Sequence, residues 1–389
     1  MGLRRVPTPL DEYPIHQTPL PMDRVASSDR NFYDRCYFNA YDRTGEIFLV
    51  TGLGVYPNLG VIDAYAAVRR GDRQWSVRFS DALTERSLDQ QVGGYRIEVV
   101  EPLRRLNLNC ESPDGSIDFD LHWTGAFPAV QEEPHVLQAG RRPVVDASRF
   151  SQAGDWSGEL RVGDAEFAVT GDRWAGIRDR SWGIRPVGEP EPPGRAAAET
   201  IGGFWWVYAP LRFASCALIV ILQEDPDGYR TLNDARRVWP DGRVEQLGWP
   251  RLSISYRPGT RHPESARICL TQRDGTPLTV DLQTVTSVPL HVGAGYTGDP
   301  DWSHGRWMGP GWSSSAVYDL SDPAVASRIP FGVTDHLVRA RLGAEEGWGM
   351  FEHASMGRHD PTGFPDWSSV SGSGREGGLL QDQHDRDDQ

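Results

Sequence analysis

Ser116-Ile117-Asp118-Phe119-Asp120-Leu121-His122-Trp123 decides the fold. Its apolar residues occupy every second position, and polar residues fill the gaps. Successive side chains of a strand point to opposite faces, so the segment predicts a strand with one buried face and one wet face. Outward from it, the chain continues as short runs rich in β-branched and aromatic residues. In the first half these are 35–41, 46–56, 95–101, 159–162 and 166–170. In the second half they are 204–209, 217–223, 230–239, 266–272, 278–285, 316–320, 336–342 and 349–353. Gly, Pro, Asn and Asp clusters separate them. Asp225-Pro226-Asp227-Gly228 and Pro240-Asp241-Gly242 have the composition of hairpin turns. One helical turn is expected at 323–327, and no long amphipathic helix is present. Closely spaced strands with turns between them predict an all-β chain, an antiparallel sandwich or barrel.

The length of 389 residues points to two domains. The proline-rich stretch 188–194 is the linker candidate, because proline cannot join a sheet interior. The expected organisation is an irregular N-terminal arm over 1–30, a first barrel over 31–190 and a second over 195–370. A Gly-, Asp- and Gln-rich disordered tail is expected over 371–389.

Lys and Arg number 40 against 54 Asp and Glu, a formal net charge of −14. That balance argues against nucleic acid and anionic lipid as partners, since both require a positive field. No run of eighteen apolar residues is present to span a membrane. Residues 1–30 lack the apolar core of a secretory signal. The cysteines Cys36, Cys110, Cys216 and Cys269 are far apart and form no Cys-x-x-Cys, so reduced thiols and a cytoplasmic location are expected. Oligomeric state is left open.

The chain contains no lysine. A lysine Schiff base and a P-loop lysine are therefore excluded. Arginine does not give up a proton near neutral pH, which leaves Asp, Glu, His, Tyr and Cys for acid–base work. Gly293-Ala294-Gly295-Tyr296-Thr297-Gly298 has G-x-G-x-x-G spacing, but Asp299-Pro300-Asp301 follows where a helix would have to begin. It is not read as a dinucleotide site. Asp299, Asp301 and His304 are read as a surface loop rather than a metal site. No H-E-x-x-H and no G-x-S-x-G occurs. Neither cofactor nor metal is expected.

The chemistry concentrates in Asp172-Arg173-Trp174-Ala175-Gly176-Ile177-Arg178-Asp179-Arg180-Ser181-Trp182-Gly183 and in Gly203-Phe204-Trp205-Trp206-Val207-Tyr208. Each large ring buries roughly 150–250 Å², so these segments predict an apolar cavity holding one acid. On a strand, Trp174, Arg178, Arg180 and Trp182 share one face, and Ile177, Asp179 and Ser181 share the other. Apolar neighbours would raise the Asp179 pKa and let it protonate an alkene or carbonyl. The alternative is an Asp held ionised by Arg178, Arg180 or Arg185. In Gly347-Trp348-Gly349-Met350-Phe351-Glu352-His353, Glu352 shares a face with Trp348 and Met350, as a second acid in apolar company or as a rim carboxylate paired to arginine. Tyr33, Arg35, Tyr37 and Asn39 share a face that lines a pocket or packs a barrel. The candidate catalytic residues are Asp179 and Glu352. The candidate substrate contacts are Trp182, Trp205, Trp206, Tyr208, Trp174, Trp348 and Tyr37.

In order and spacing, these segments resemble the carotenoid 1,2-hydratase and AttH-like superfamily. That family carries Asp-His-Glu-Trp-Gly, then Gly-Trp-Asp-Trp-Phe, then a late Gly-x-Gly-Tyr-x-Glu. Asp179, Trp182 and Gly183 match the first element, Trp206 the second tryptophan of the next, and Glu352 the late glutamate. Arg180 and Ser181 replace the family His and Glu, and Trp205 stands at its Asp. The resemblance implies two lipocalin-like antiparallel β-barrels in tandem. It also implies kinship with kievitone hydratase-like enzymes and lipocalin-like Diels–Alder cyclases, which act on large apolar molecules, generally without cofactor. The expected function is a hydro-lyase or cyclase. It would hydrate or dehydrate a C=C bond of a terpenoid, polyketide or steroid-like substrate, or cyclise it, in a barrel cavity. The alternative is a non-catalytic lipocalin-like carrier of hydrophobic small molecules.

Overall fold

The computed structural model describes residues 14, 16–84, 88–139, 142–190 and 202–372. Of the expected tail only Ser371 and Gly372 fall within them. Residues 1–13 of the expected arm and 191–194 of the linker lie outside the described residues.

The chain forms two curled antiparallel sheets, one a half-barrel and the other a nearly closed barrel. The centre of the first sheet runs Val61–Arg70, Phe48–Tyr56, Phe32–Asp42, Trp174–Ile184, Arg142–Val162, Ile117–Gly125. The centre of the second runs Ala217–Glu224, Gly203–Arg212, Glu345–Gly357, Thr334–Leu342, Pro277–Pro289. The two halves of the chain are laced together: Trp312–Asp319, late in sequence, pairs with Arg73–Ala82 of the first sheet. The expected helical turn is Pro323–Ala326, capped by Asp322, which accepts from the Ala324 amide at 2.8 Å.

Strand Ile117–Gly125 shows the alternation its sequence predicts, with Ile117, Phe119, Leu121 and Trp123 buried and Asp120 and His122 exposed. The central strands differ, because both of their faces are buried. In Phe32–Asp42, Cys36, Phe38 and Ala40 enter the first sheet's own core, while Tyr37 and Tyr41 enter a middle layer between the sheets. In Gly203–Arg212, Trp205, Val207 and Ala209 enter the second sheet's core, while Trp206 and Tyr208 join the middle layer. Three cores result from the period of two. The first is centred on Phe38, Trp123 and Trp156, whose rings meet edge-on at 5.0–6.4 Å. Aromatic and aliphatic side chains pack the two sheet cores, and the hollow lies in the middle layer. This corrects the expectation of a cavity inside a barrel.

Gly176 marks a close crossing in the first core. The Trp156 indole donates to the Asn39 carbonyl at 2.8 Å, and a Cβ at position 176 would overlap both groups. Gly176→Ala is expected to destabilise the fold by roughly 3 kcal/mol, the upper range for overpacking a filled core. Urea unfolding followed by tryptophan fluorescence measures this, and an unchanged midpoint would contradict the packing described.

Candidate active site

The middle layer contains a cavity of about 360 Å³, within the range that small-molecule sites occupy. Tyr37, Asp179 and Ser181 form its wall on the first sheet. Phe204, Trp206, Met350 and Glu352 form the facing wall on the second. Glu132, His135 and Arg149 close one side, and Tyr296 and Thr297 close another. Strand register sets the polar groups opposite one another. Tyr37 pairs with Asp179 across the first sheet, and Glu352 pairs with Asp335 across the second.

Asp179 is 9% exposed, and that exposure faces the cavity. Burial pushes its pKa up to about 7; Arg149 opposes the rise, and Glu132 and Glu352 add to it. Its sequence neighbours are occupied elsewhere. Arg178 donates to Gln152 at 2.7 Å, and Arg180 pairs with Asp34 at 2.9 Å. Both arginines point to the opposite face of their strand, so neither holds Asp179 ionised.

The second acidic centre is a pair. Burial raises the Asp335 carboxyl well above the usual range, and Glu352 beside it raises it further. The Tyr37 hydroxyl donates to Asp335 Oδ2 at 2.5 Å, and the Trp206 indole donates to Glu352 Oε1. Asp335 is fully buried and Glu352 half-buried at the cavity wall, so the two carboxyls meet where the second sheet faces the hollow.

Arg149 forms an ion pair with buried Glu132 and lies 4.0 Å over the Tyr208 ring. His135 stacks on Trp206 at 5.2 Å, contacts Gln223, and is pushed down to about 4 by burial, so its ring is neutral. Behind Tyr296, Arg35 contacts His304 at 3.0 Å, and Asp63 is pushed up to about 7 by burial. The 299–304 segment is therefore not the simple surface loop its composition suggests. Asp299 accepts the Gly293 and Gly295 amides at 2.8 and 3.0 Å, and Trp302 and His304 are buried. That anchoring delivers Tyr296 to the cavity. Among the described residues, no group of three or more His, Cys, Asp or Glu side chains is arranged to hold a metal ion. None of the described helices is long and apolar enough to cross a membrane.

Of the residues singled out in the sequence, Asp179, Glu352, Trp206 and Tyr37 line the cavity. Tyr208 lies beneath Arg149 in the adjoining core. The other four stand apart from the cavity lining. Trp174 and Trp205 point into the cores of their own sheets, on the strand faces opposite Asp179 and Trp206. Trp205 stacks on His359 at 5.0 Å. Trp182 also lies on the face opposite Asp179, with its ring 6.4 Å from that of Phe150, and Trp348 stacks on Tyr41 at 6.5 Å. Asp335, Glu132, Arg149, Arg35, His135 and Tyr296 complete the site. Of these only Arg35 carried a sequence signal, by sharing the face of Tyr33 and Tyr37.

The arrangement defines the class of fold: two curled antiparallel sheets in tandem that share a middle layer. The chain belongs to the family described as "Family of unknown function (DUF8625)", which matches residues 7–365. None of the curated proteins matches it in sequence. Among solved structures, kievitone hydratase from Nectria haematococca is similar, with a TM-score of 0.51 and 13% identity over 83% of this chain and 89% of that one. An AttH-like protein from Nitrosomonas europaea has a TM-score of 0.52 and 15% identity over 90% and 99%. CghA has a TM-score of 0.51 and 12% identity over 88% and 96%. These likenesses establish the fold.

The Asp179 environment has a consequence for stability. Folded, the carboxyl keeps its proton to about pH 7, whereas its ordinary value is 3.8. Between those values the folded chain binds more protons than the unfolded chain, so stability falls as pH rises. Above pH 7 the ionised group costs about 4 kcal/mol at most. Asp179→Asn is therefore expected to raise the melting temperature, more at pH 8 than at pH 5. A difference independent of pH would contradict the raised pKa.

Proposed function

We propose that this protein is a cofactor-independent enzyme that protonates a large hydrophobic substrate from Asp179, hydrating or dehydrating a C=C bond. One observation carries the reading: an acid whose pKa burial raises to about 7 faces an aromatic-walled cavity, with the Asp335–Glu352 carboxyl pair at the opposite wall. A carboxyl tuned in this way suits general acid catalysis at physiological pH.

In hydration, the Asp179 proton bonds to one alkene carbon, and the positive charge left on the other faces the Phe204 and Trp206 rings. Water adds to that carbon. The proton it releases passes to the basic member of the Asp335–Glu352 pair, and exchange with solvent restores both groups. Dehydration runs the same steps backwards. Tyr37, bonded to Asp335, keeps that pair oriented. The name of kievitone hydratase, a protein of similar fold, is consistent with this chemistry.

A second reading is cyclisation. Ser181 lines the cavity where the family motif has Glu, leaving Asp179 without an acidic neighbour on its own wall. Asp179 would then hydrogen-bond a substrate carbonyl while the walls hold the chain in a reactive fold.

Incubation with a panel of apolar terpenoids and polyketides in D2O, followed by mass spectrometry, tests the proposal. The wild type is expected to add D2O to an alkene or to lose water from an alcohol, with a rate that falls as pH rises through about 7. Asp179→Asn is expected to lose at least about 100-fold in turnover while still binding the neutral dye Nile red. An isomeric ring product without solvent deuterium would favour cyclisation. Full activity in the Asn variant would contradict both readings, and compounds bound and returned unchanged would indicate a carrier.

A further inference from the structure

The cavity contains three guanidinium groups, Arg35, Arg149 and Arg185, and they differ in how their charge is met. Arg149 is paired with Glu132. Arg35 is 5% exposed, and its hydrogen-bond partner is the Nε2 atom of His304, at 3.0 Å. Burial keeps that imidazole neutral. Arg35 Nη1 has no hydrogen-bond partner among the described residues. Asp63 lies close enough to feel Arg35, but its two oxygens accept from the Tyr56 hydroxyl at 3.2 Å and the Gly305 amide at 2.6 Å. Arg185 lies 5.3 Å over the Tyr33 ring and 6.0 Å over that of Tyr296, and Arg35 lies 5.2 Å from the same Tyr296 ring. Among the described residues neither Arg35 nor Arg185 forms an ion pair with a carboxylate.

Two cations thus gather at the Tyr33–Tyr296 end of the cavity without an anion between them. Burying a guanidinium without a counter-charge is costly unless something else supplies the charge. Arginine's planar fork suits a carboxylate or other delocalised oxygen anion.

Resting on the reading of this cavity as a site for apolar substrates, we propose that its ligand carries an acidic oxygen head group, a carboxylate or acidic enol, held by Arg35 and Arg185. The register then sets the substrate's dimensions. Arg35 pairs with Ser181 and Tyr37 pairs with Asp179, so the anion end and the acid stand two residues apart on one strand face. That step is about 7 Å. The head group binds at Arg35, the reacting carbon lies beside Asp179 about 7 Å further along, and the apolar remainder lies against Phe204, Trp206 and Met356. The spacing separates the anion from the proton donor, so one end orients the molecule and the other reacts.

Calorimetric titration with decanoate and with decanol at pH 6.5 tests this. These probes share a tail and differ at the head, and at that pH decanoate is ionised while Asp179 keeps most of its proton. The wild type is expected to bind decanoate at least about tenfold more tightly than decanol, as charge-assisted hydrogen bonds imply. Arg185→Gln and Arg35→Gln should each shrink that ratio severalfold, by weakening decanoate far more than decanol. Arg185 is only partly buried, so its variant remains informative if the Arg35 variant fails to fold. Equal affinity for the two probes, or a ratio that neither variant changes, would overturn the head-group assignment alone. Asp179 chemistry would still stand on its own turnover test. Binding of neither probe, together with exclusion of Nile red, would overturn both.

Discussion

A strand has two faces, and the central strands here bury both. Phe32–Asp42 and Trp174–Ile184 give one face to the first sheet's core, and Gly203–Arg212 and Glu345–Gly357 give one face to the second's. Their remaining faces meet in the middle layer. The cavity depends on that sharing. Side chains that converge on it come from rigid strands in fixed register, so Tyr37 meets Asp179 and Asp335 meets Glu352 without any loop having to close. Sites on such elements hold geometry better than sites on loops.

The electrostatics follow from the same placement. Acids on an outer strand face would be solvated, and here the second sheet removes that water. Asp179, Asp335 and Asp63 all hold their protons more tightly than ordinary carboxyls because burial penalises their charged forms. Half-buried His135 and buried His304 respond in the opposite sense and stay neutral. The result is a site with proton donors on one level and uncompensated arginine charge on the next. The same burial that makes ionised Asp179 costly to the fold is what keeps its proton to about pH 7.

The β class was legible because Ile117, Phe119, Leu121 and Trp123 alternate without interruption. So was the division of Asp179 and Ser181 from Trp174 and Trp182, which follows from the period of two alone. The choice of which face lines the cavity was not legible. Both faces of Gly203–Arg212 are aromatic and buried, so Trp205 and Trp206 look equivalent in sequence, yet only Trp206 reaches the cavity. Asp335 had no local motif, and its role comes from cross-strand register with Glu352. Arg149 and Glu132 meet across a short strand pair that no spacing rule foretells. The Gly293–Gly298 loop, whose spacing is that of a nucleotide motif, packs behind the cavity. Its function as the support for Tyr296 depends on Asp299 folding back onto its amides, a tertiary contact.

The central claim is that Asp179, facing the cavity between the sheets, stands protonated near neutral pH. Infrared difference spectra of the wild type minus Asp179→Asn, recorded across pH 3 to 9, isolate that carboxyl stretch directly. The account predicts a protonated band that persists past pH 5 and disappears with a midpoint near 7. A band already gone by about pH 4, the ordinary range of an aspartate, would contradict it.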